Sequence, residues 1–308
     1  MDHHDLYHSL RLGVGYDADE IPIDEHVRVA NLTFCSESEG LLPGDARYVC
    51  PVHGTVLHEA AGSDETEAVG SEVPFLHSAH VPENREFRYH VFMPADVDRA
   101  RDVVLMFHGF NEKYWHKYLP WAHRLVTQTG KTVVLFPIAS HMNRVPVAWS
   151  DRRLMHRLSG ERRRRFPSIV ASTLSNAAIS TRLQARPQRF IWSGLQTYGD
   201  AIQLMRDIRA GTHPLVAPAA RIDLFGFSIG CLLAQILLMT DPGGIFAHTR
   251  LCLFCGGAVF NRMSPVSRFI LDSECNVALY SYLVEHLESH LRDNERLRHF
   301  LGDEPPAG

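Results

Sequence analysis

Hydrophobic and polar positions follow two different patterns along this chain. In the first part, apolar residues alternate with polar ones or form short runs between glycine and proline, which predicts strands at 26–34, 46–57 and 86–94. Small, polar and acidic residues at 60–72 predict a loop. These observations indicate a β-rich N-terminal extension over residues 1–85.

In the second part, apolar runs alternate with helical patterns. The runs VVLMF and TVVLF are almost entirely apolar, which is typical of strands buried on both faces of a parallel sheet. An alternation of strands and helices predicts an α/β fold with a mostly parallel sheet and helices on both faces. The predicted order is strand 103–107, helix 113–129, strand 132–136, helix 199–210, strand 221–225, helix 229–240 and strand 251–255.

Two stretches depart from this alternation. The long irregular segment at 141–197 interrupts it and is interpreted as a cap insertion. After residue 260 no further strong strand is found, and apolar residues recur at helical spacing between Tyr280 and Leu291, which predicts a helix over 275–301. The C-terminal segment 261–308 is therefore expected to be helical.

The strongest chemical signal is the sequence GFSIG, in which Ser228 lies between a buried strand and an apolar helix. A serine at a sharp strand-to-helix turn stands above the edge of the sheet, and the glycines at 226 and 230 let the backbone turn tightly. This context predicts a nucleophile elbow with Ser228 as the catalytic nucleophile. The alternative is a glycine-bounded turn in which Ser228 only caps the helix.

A second signal is the sequence HGFN, which directly follows the buried strand 103–107. Acyl transfer needs preorganised N–H donors for the tetrahedral oxyanion. One predicted donor is the backbone amide of Ile229, and the other is the amide of Phe110, with Gly109 allowing close approach. The alternative is a simple glycine-containing turn between a strand and a helix.

Together these elements resemble the α/β-hydrolase superfamily over residues 86–260. The segments HMNRVP, FIWSGLQT, FGFSIG and FCGGAVF resemble, more narrowly, an uncharacterised bacterial branch of it, a domain-of-unknown-function family. The resemblance implies an α/β-hydrolase-like domain over 86–308 that hydrolyses an ester-like bond through an acyl-serine. This chemistry requires no cofactor.

The superfamily pattern places an acid and then a histidine after the serine, and the chain departs from it here. Only 80 residues (308 minus 228) follow Ser228, and most of them are predicted to be helical. His299 is the candidate triad base, and the simplest interpretation is that the last strands of the fold, with their acid and histidine, are missing. The acids after the serine include Asp272, Glu274 and Asp293, and the other histidines there are His286 and His290, interpreted as exposed helix-face residues.

Several polar residues are expected near the active-site edge of the sheet. His108 and Asn111 flank the predicted oxyanion loop, and His141 follows a buried strand. Asn143 and Arg144 lie at the start of the insertion. These five residues are predicted to line the pocket.

Two further clusters have less specific interpretations. Seven arginines occur at 152–165, which would attract an anionic substrate or a membrane surface, or would form a solvated helix face. Cys50 and His53, with Cys35 and His58, have a ligand-like appearance, but a zinc site usually needs four well-spaced ligands. No metal is therefore expected.

Composition narrows the class of protein. The chain has 308 residues and a formal charge of -4, which gives no global signal for nucleic-acid binding. Its six cysteines are too few and too scattered for a disulfide scaffold. No signal peptide is visible, and the longest nearly apolar run, 229–239, is shorter than a membrane span. A soluble, cytoplasmic protein is expected.

Two functions follow from these observations. The favoured one is a serine hydrolase of esterase type that attacks a small-molecule acyl or ester substrate through Ser228. The alternative is a non-catalytic binding or interaction protein, or an incomplete hydrolase-fold chain that lacks the triad acid and histidine.

Overall fold

The chain forms two compact units, each built from three segments. A computed structural model describes residues 2–38, 47–49, 54, 56–58, 81–256 and 262–301. The first unit comprises Met1–Ser36, Arg85–Arg144 and Tyr198–Gly257, and the second comprises Glu37–Asn84, Val145–Thr197 and Ala258–Gly308.

A seven-stranded sheet forms the centre of the first unit, in the order β1-β2-β5-β7-β6-β8-β9. The two remaining strands, β3 and β4, pair antiparallel in the second unit. The strands are β1 (Glu20–Pro22), β2 (Val27–Cys35), β3 (Arg47–Val49), β4 (Val56–His58), β5 (Glu86–Pro94), β6 (Ala100–Phe107), β7 (Thr132–Leu135), β8 (Val216–Phe227) and β9 (Leu251–Phe254).

Five of the seven strands in this sheet run in the same direction. Strands β7, β6, β8 and β9 pair in parallel. Strand β5 is antiparallel to both β7 and β2, so β2 runs with the parallel set, while β5 and β1 oppose it. This α/β-hydrolase-like arrangement confirms the predicted fold class. It also makes β1 and β2 part of the same sheet as the strands after residue 85.

The parallel strands bring three loop starts to one edge of the sheet, because their carboxyl ends lie side by side. The residues that follow Phe107, Phe227 and Phe254 therefore begin at this edge. Within the described parts of the chain, β9 is the last strand of the sheet, and 262–301 contains only helices, turns and one isolated bridge.

Helices of the first unit cover both faces of its sheet. The helices in the described residues of the whole chain are α1 (His3–Gly13), α2 (Pro82–Arg85), α3 (Leu119–Thr129), α4 (Arg152–Arg165), α5 (Ala177–Ala185), α6 (Arg189–Ala210), α7 (Ile229–Thr240), α8 (Ser273–Ser281), α9 (Leu287–Asp293) and α10 (Glu295–Leu301). Short 3-10 helices occur at Val147–Ser150 and Pro242–Gly244, and a π-helical turn, Tyr282–His286, joins α8 to α9.

Side chains of β6 alternate between two hydrophobic cores. Val103, Leu105 and Phe107 pack into a core that includes residues of α6 and α7. Val104 and Met106 belong to the opposite core, with residues of α1 and α3. Since both faces of the strand are buried, its sequence is an uninterrupted apolar run.

The start of α3 differs from the sequence prediction. The helix begins at Leu119 rather than at residue 113, and Pro120 lies in its first turn. Proline is favourable there because its missing N–H would have no partner within the helix. Gly130 ends the helix with a φ of 68°. The proline therefore sets where the helix begins.

The first helix was not predicted from the sequence, although a signal is present. The Asp2 side chain accepts a hydrogen bond from the Asp5 amide at 2.8 Å, which caps the helix. Leu6 and Leu10, four residues apart, are its two buried side chains. A pattern of two apolar positions is too short to stand out among polar residues.

In the second unit, the segment predicted to be irregular is mostly helical. Helix α4 contains the seven arginines, and one of them, Arg162, is buried and paired with Asp272 through Nε–Oδ2 and Nη2–Oδ1 bonds of 2.7 and 2.8 Å. The other six arginines are exposed. The helical spacing predicted at 275–301 is matched by α8, α9 and α10.

Candidate functional site

Ser228 occupies a strained turn between β8 and α7. Its φ and ψ are 54° and -116°, a conformation that residues with a side chain rarely adopt. The Ser228 amide donates to the Phe254 carbonyl at 3.1 Å, and its carbonyl accepts from the Cys231 amide at 3.0 Å. These two bonds hold the serine at the carboxyl edge of the parallel strands.

The glycines on either side of the serine are required by close backbone packing. A Cβ atom on Gly226 would lie 2.6 Å from the Cα atom of Cys231. A Cβ atom on Gly230 would lie 2.6 Å from the carbonyl oxygen of Phe107. Both distances are well inside van der Waals contact, so the turn and the contact of α7 with β6 need glycine at both positions.

The Ser228 hydroxyl lies next to the start of α7. The serine is half-buried, and its hydroxyl makes no hydrogen bond with the described residues of the first unit. On the side of α7 lies the amide of Ile229, which is the first residue of the helix and therefore has no intrahelical acceptor. This amide is available to an oxygen atom bound beside the serine.

The loop after β6 is held against the turn that carries the serine. A Cβ atom on Gly109 would lie 2.9 Å from Cδ1 of Phe227, so the loop backbone packs directly on the residue before Ser228. The Gly109 amide donates to the Tyr118 hydroxyl at 2.8 Å. Phe110, whose amide is the second oxyanion donor predicted from the sequence, is the next residue of this loop. Asn111 follows with a φ of 57°.

A polar network that was not predicted from the sequence fixes this loop. The Tyr118 hydroxyl donates to Oε1 of Glu112 at 3.3 Å, and the Lys117 ammonium also bonds to Glu112. The ammonium lies 4.0 Å from the centre of the Phe227 ring. Burial, and then the charge of Glu112, raises the pKa of Tyr118, which keeps its hydroxyl protonated. Paired aromatic and charged residues in KYWHKYLPW are the only sequence signal for this network.

His108 joins the loops that follow β6 and β7. Its Nδ1 donates to the Gly109 carbonyl at 2.8 Å, and its Nε2 accepts from the Ile138 amide at 2.9 Å. Burial, and then the neighbouring His141, holds the pKa of His108 well below its usual range. Both ring nitrogens of this neutral imidazole are therefore used by the backbone.

His141 differs from His108 in having one free ring nitrogen. Its Nδ1 donates to the Ala139 carbonyl at 2.9 Å, while its Nε2 is buried and has no hydrogen-bond partner in the described part of the chain. The ring lies 5.4 Å from that of Phe110 and 5.3 Å from that of His108, centre to centre. Burial, and then the charge of Arg144, lowers the pKa of His141 to about 4. It is thus a neutral acceptor beside the loop that carries Gly109 and Phe110.

Asn143 and Arg144 both bond to neighbouring parts of the first unit. The Asn143 side-chain amide donates to the Arg88 carbonyl at 2.8 Å. Arg144 is completely buried, forms a 2.7 Å ion pair with Asp200 and donates to the Pro137 carbonyl at 3.1 Å. These contacts anchor the loop that carries His141.

One family model matches nearly the whole chain. The model of DUF6051, described as a family of unknown function, matches residues 1–306. The chain belongs to the DUF6051 family. This confirms the predicted membership of a domain-of-unknown-function family. No curated protein is similar to the chain.

Solved structures similar to this DUF6051 chain include three esterases. Esterase B from Lactobacillus rhamnosis is 14% identical over 67% of the chain and 54% of its own, with a TM-score of 0.34. A thermostable esterase from Pseudomonas putida is 10% identical over 96% of the chain and 65% of its own, with a TM-score of 0.39. A putative acetyl xylan esterase from Bacteroides fragilis is 12% identical over 76% of the chain and 47% of its own, with a TM-score of 0.35. The DUF6051 chain thus spans between 47% and 65% of the length of these proteins.

The polar residues predicted downstream of the serine lie in the second unit of the DUF6051 chain. Asp272 caps α8, with its Oδ1 accepting from the Cys275 amide at 3.0 Å, in addition to its pair with Arg162. Nδ1 of His290 bonds to the Tyr282 hydroxyl at 2.8 Å. His299 lies in α10, where its ring contacts that of Phe300 edge-on. Of the other three, Glu274 is in α8, His286 ends the π-helical turn and Asp293 ends α9.

Neither a metal centre nor a membrane-spanning helix is found among the described residues of the DUF6051 chain. No group of three or more histidine, cysteine or carboxylate side chains is arranged there to hold a metal ion. No helix there has the length and apolar character needed to cross a bilayer. Cys50 and His53, from the weak zinc-like pattern, and the predicted loop at 60–72 lie outside the described residues.

Proposed function

We propose that this DUF6051 protein is a serine hydrolase of esterase type, with Ser228 as its nucleophile. The observation that carries the proposal is the conformation of Ser228, with φ 54° and ψ -116° between two glycines that cannot bear a Cβ atom. Strain of this kind costs about 1–3 kcal/mol and persists where the surrounding structure enforces it, typically at functional sites. A serine that only capped α7 would not need this geometry, and Ser228 makes no side-chain capping bond.

In the proposed reaction, the Ser228 oxygen attacks the acyl carbon of an ester while its proton passes to a base. The amides of Phe110 and Ile229 donate hydrogen bonds to the oxyanion of the tetrahedral intermediate, and Gly109 lets the loop approach. The intermediate breaks its bond to the alkoxy group, which takes the proton and leaves as an alcohol. Water then attacks the acyl-serine, releasing the acid and restoring the hydroxyl.

The proposed pocket lies along the loops that follow β6 and β7. His141 has the clearest role there, because its unpartnered Nε2 can accept a hydrogen bond from a substrate group or from water. Asn111 borders the pocket on the Phe110 side. His108, Asn143 and Arg144 support the pocket by holding these loops together.

The Ser228 hydroxyl needs a base that accepts its proton. His299 is retained as the candidate because it follows the serine in the chain, as in the α/β-hydrolase order. Replacement of His299 by Gln tests it directly. If His299 is the base, His299→Gln reduces ester hydrolysis to nearly the same extent as loss of the serine.

The second candidate function is a binding protein on a hydrolase fold. One observation favours it: the Ser228 hydroxyl donates no hydrogen bond to any imidazole of the described first unit, where both ring nitrogens of His108 are engaged. A serine without a base is a weak nucleophile. On this interpretation the site would hold a small molecule without cleaving it.

Hydrolysis of p-nitrophenyl butyrate separates the two functions. The full chain is compared with Ser228→Ala and with Ser9→Ala, which alters an exposed serine of α1. The hydrolase proposal predicts activity in the wild type and Ser9→Ala, and a loss of about 1000-fold or more in Ser228→Ala. Equal, low rates in all three proteins would support the binding protein instead.

A further inference from the structure

A separate cavity lies at the opposite end of the sheet from Ser228. Its volume is about 870 Å³, and it is bordered by the first half of β8 and by the segment that leads into β9. This volume falls within the range of small-molecule sites, about 300–1000 Å³. The lining residues are Arg209, 218–222, 243–245 and 247–250.

The lining of this cavity is strongly basic. It contains three arginines and one histidine but no carboxylate side chain. Nη1 of Arg209 donates to the carbonyls of Pro218 and Ala220 at 2.9 and 2.7 Å, which orients the guanidinium without neutralising it. The side chain of Arg250 is exposed and bonds to none of the described residues.

Arg221 and His248 are the other two basic side chains of the lining. Arg221 pairs with Asp102 at 2.9 Å, but both side chains are nearly half exposed, so solvent weakens this pair. His248 is exposed and has no bonding partner in the described part of the chain. The cavity thus carries at least two uncompensated positive charges, those of Arg209 and Arg250.

We propose that this cavity binds a small molecule that carries a multiply charged phosphate group. Guanidinium groups present forked N–H donors that match phosphate oxygens, and two of them on one cavity favour a ligand with two or more negative charges. The main-chain bonds of Arg209 hold one fork in place, which reduces the entropy lost when a ligand binds. Arg250 supplies the second fork.

This site is independent of the proposed chemistry at Ser228. Residue 222 borders the cavity, and Phe227 ends β8 immediately before the serine. Five residues of extended strand separate these positions by ~16 Å. A ligand in the cavity therefore leaves the Ser228 site open, and failure of either proposal leaves the other standing.

Calorimetric titration of the full chain with pyrophosphate tests the proposal, with citrate as a carboxylate probe of comparable charge. We expect pyrophosphate to bind, with an affinity that falls as the salt concentration is raised. Arg250→Gln should lower the affinity for pyrophosphate about tenfold, because a charge-assisted hydrogen bond is lost. Arg250→Lys retains the positive charge but not the forked N–H donors, so its affinity for pyrophosphate is expected to lie between those of the wild type and Arg250→Gln. Circular dichroism of each variant verifies the fold.

Arg153→Gln is the matched control, because it removes an exposed arginine from α4 in the second unit. It is expected to leave pyrophosphate binding unchanged. The proposal is overturned if the wild type does not bind pyrophosphate at millimolar concentration, or if Arg250→Gln and Arg153→Gln have equal effects. Citrate binding as tight as that of pyrophosphate would overturn the assignment to phosphate.

Discussion

Replacement of Gly230 by alanine tests the packing of the serine turn. Gly230 is in the first turn of α7, and a Cβ atom there would lie 2.6 Å from the Phe107 carbonyl oxygen and 2.8 Å from that of His108. These are backbone atoms of the last residue of β6 and of the residue that follows it, where the candidate oxyanion loop begins. They cannot move aside as the end of a flexible side chain would.

The magnitude follows from two opposing effects. Helix propensity alone favours alanine over glycine by about 1 kcal/mol. Overpacking in a close-packed interior costs about 1–3 kcal/mol, and here it is at the upper end because rigid backbone must shift. Gly230→Ala is therefore expected to lower the free energy of unfolding by about 1–2 kcal/mol, opposite in sign to the propensity effect.

Gly194→Ala is the matched control, since Gly194 is also helical, in α6, and its added Cβ atom would have nothing within 4 Å. We expect this variant to be as stable as the wild type or up to about 1 kcal/mol more stable. Urea unfolding followed by circular dichroism measures both variants. If Gly230→Ala proves as stable as Gly194→Ala, α7 does not pack closely on β6. The packing that enforces the strained turn at Ser228 would then be absent.

Three further predictions concern the strained, charged and titrating groups of the first unit. Ser228→Gly should be about 1 kcal/mol more stable to urea than Ser228→Ala, because glycine adopts a φ of 54° without strain; equal stabilities would argue against a strained serine. Asp200→Ala should destabilise the chain by about 3–5 kcal/mol, since it removes the carboxylate that pairs with the buried Arg144. Asp102→Ala, which breaks an exposed ion pair, should lower the free energy of unfolding by less than about 1 kcal/mol. Similar losses of stability in Asp200→Ala and Asp102→Ala would show that burial does not strengthen the Arg144–Asp200 pair. The pKa of His141 is about 4 in the folded chain and about 6.5 in the unfolded chain, so protonation of His141 lowers the free energy of unfolding as the pH falls from 6.5 to 4, by about 3 kcal/mol at pH 4. His141→Gln should therefore make the urea midpoint depend less on pH over this range. An unchanged pH dependence would exclude a buried neutral imidazole at this position.

The sheet of the first unit was predictable because burial on both faces leaves a strong mark in the sequence. The run at 103–107 has no polar residue, and β6 is buried between two cores. GFSIG was informative for a related reason: a Cβ atom at 226 or 230 would lie within 3 Å of neighbouring backbone atoms, so only glycine fits at these positions.

The supports of the candidate site were not predictable, because they are long-range polar contacts. Tyr118 and Glu112 reach the Gly109 loop through side-chain bonds that leave no periodic pattern. The Arg144–Asp200 pair joins residues 56 positions apart. His108 and His141 looked alike in the sequence, and only their hydrogen bonds distinguish an imidazole with both nitrogens engaged from one with a free nitrogen.

Covalent labelling by an alkyl fluorophosphonate, read by intact mass, tests most directly whether Ser228 is an activated nucleophile. If it is, the wild type and Ser9→Ala each gain one adduct, and Ser228→Ala gains none. No adduct on folded wild-type protein, or an adduct that persists in Ser228→Ala, would show that Ser228 is not the activated nucleophile.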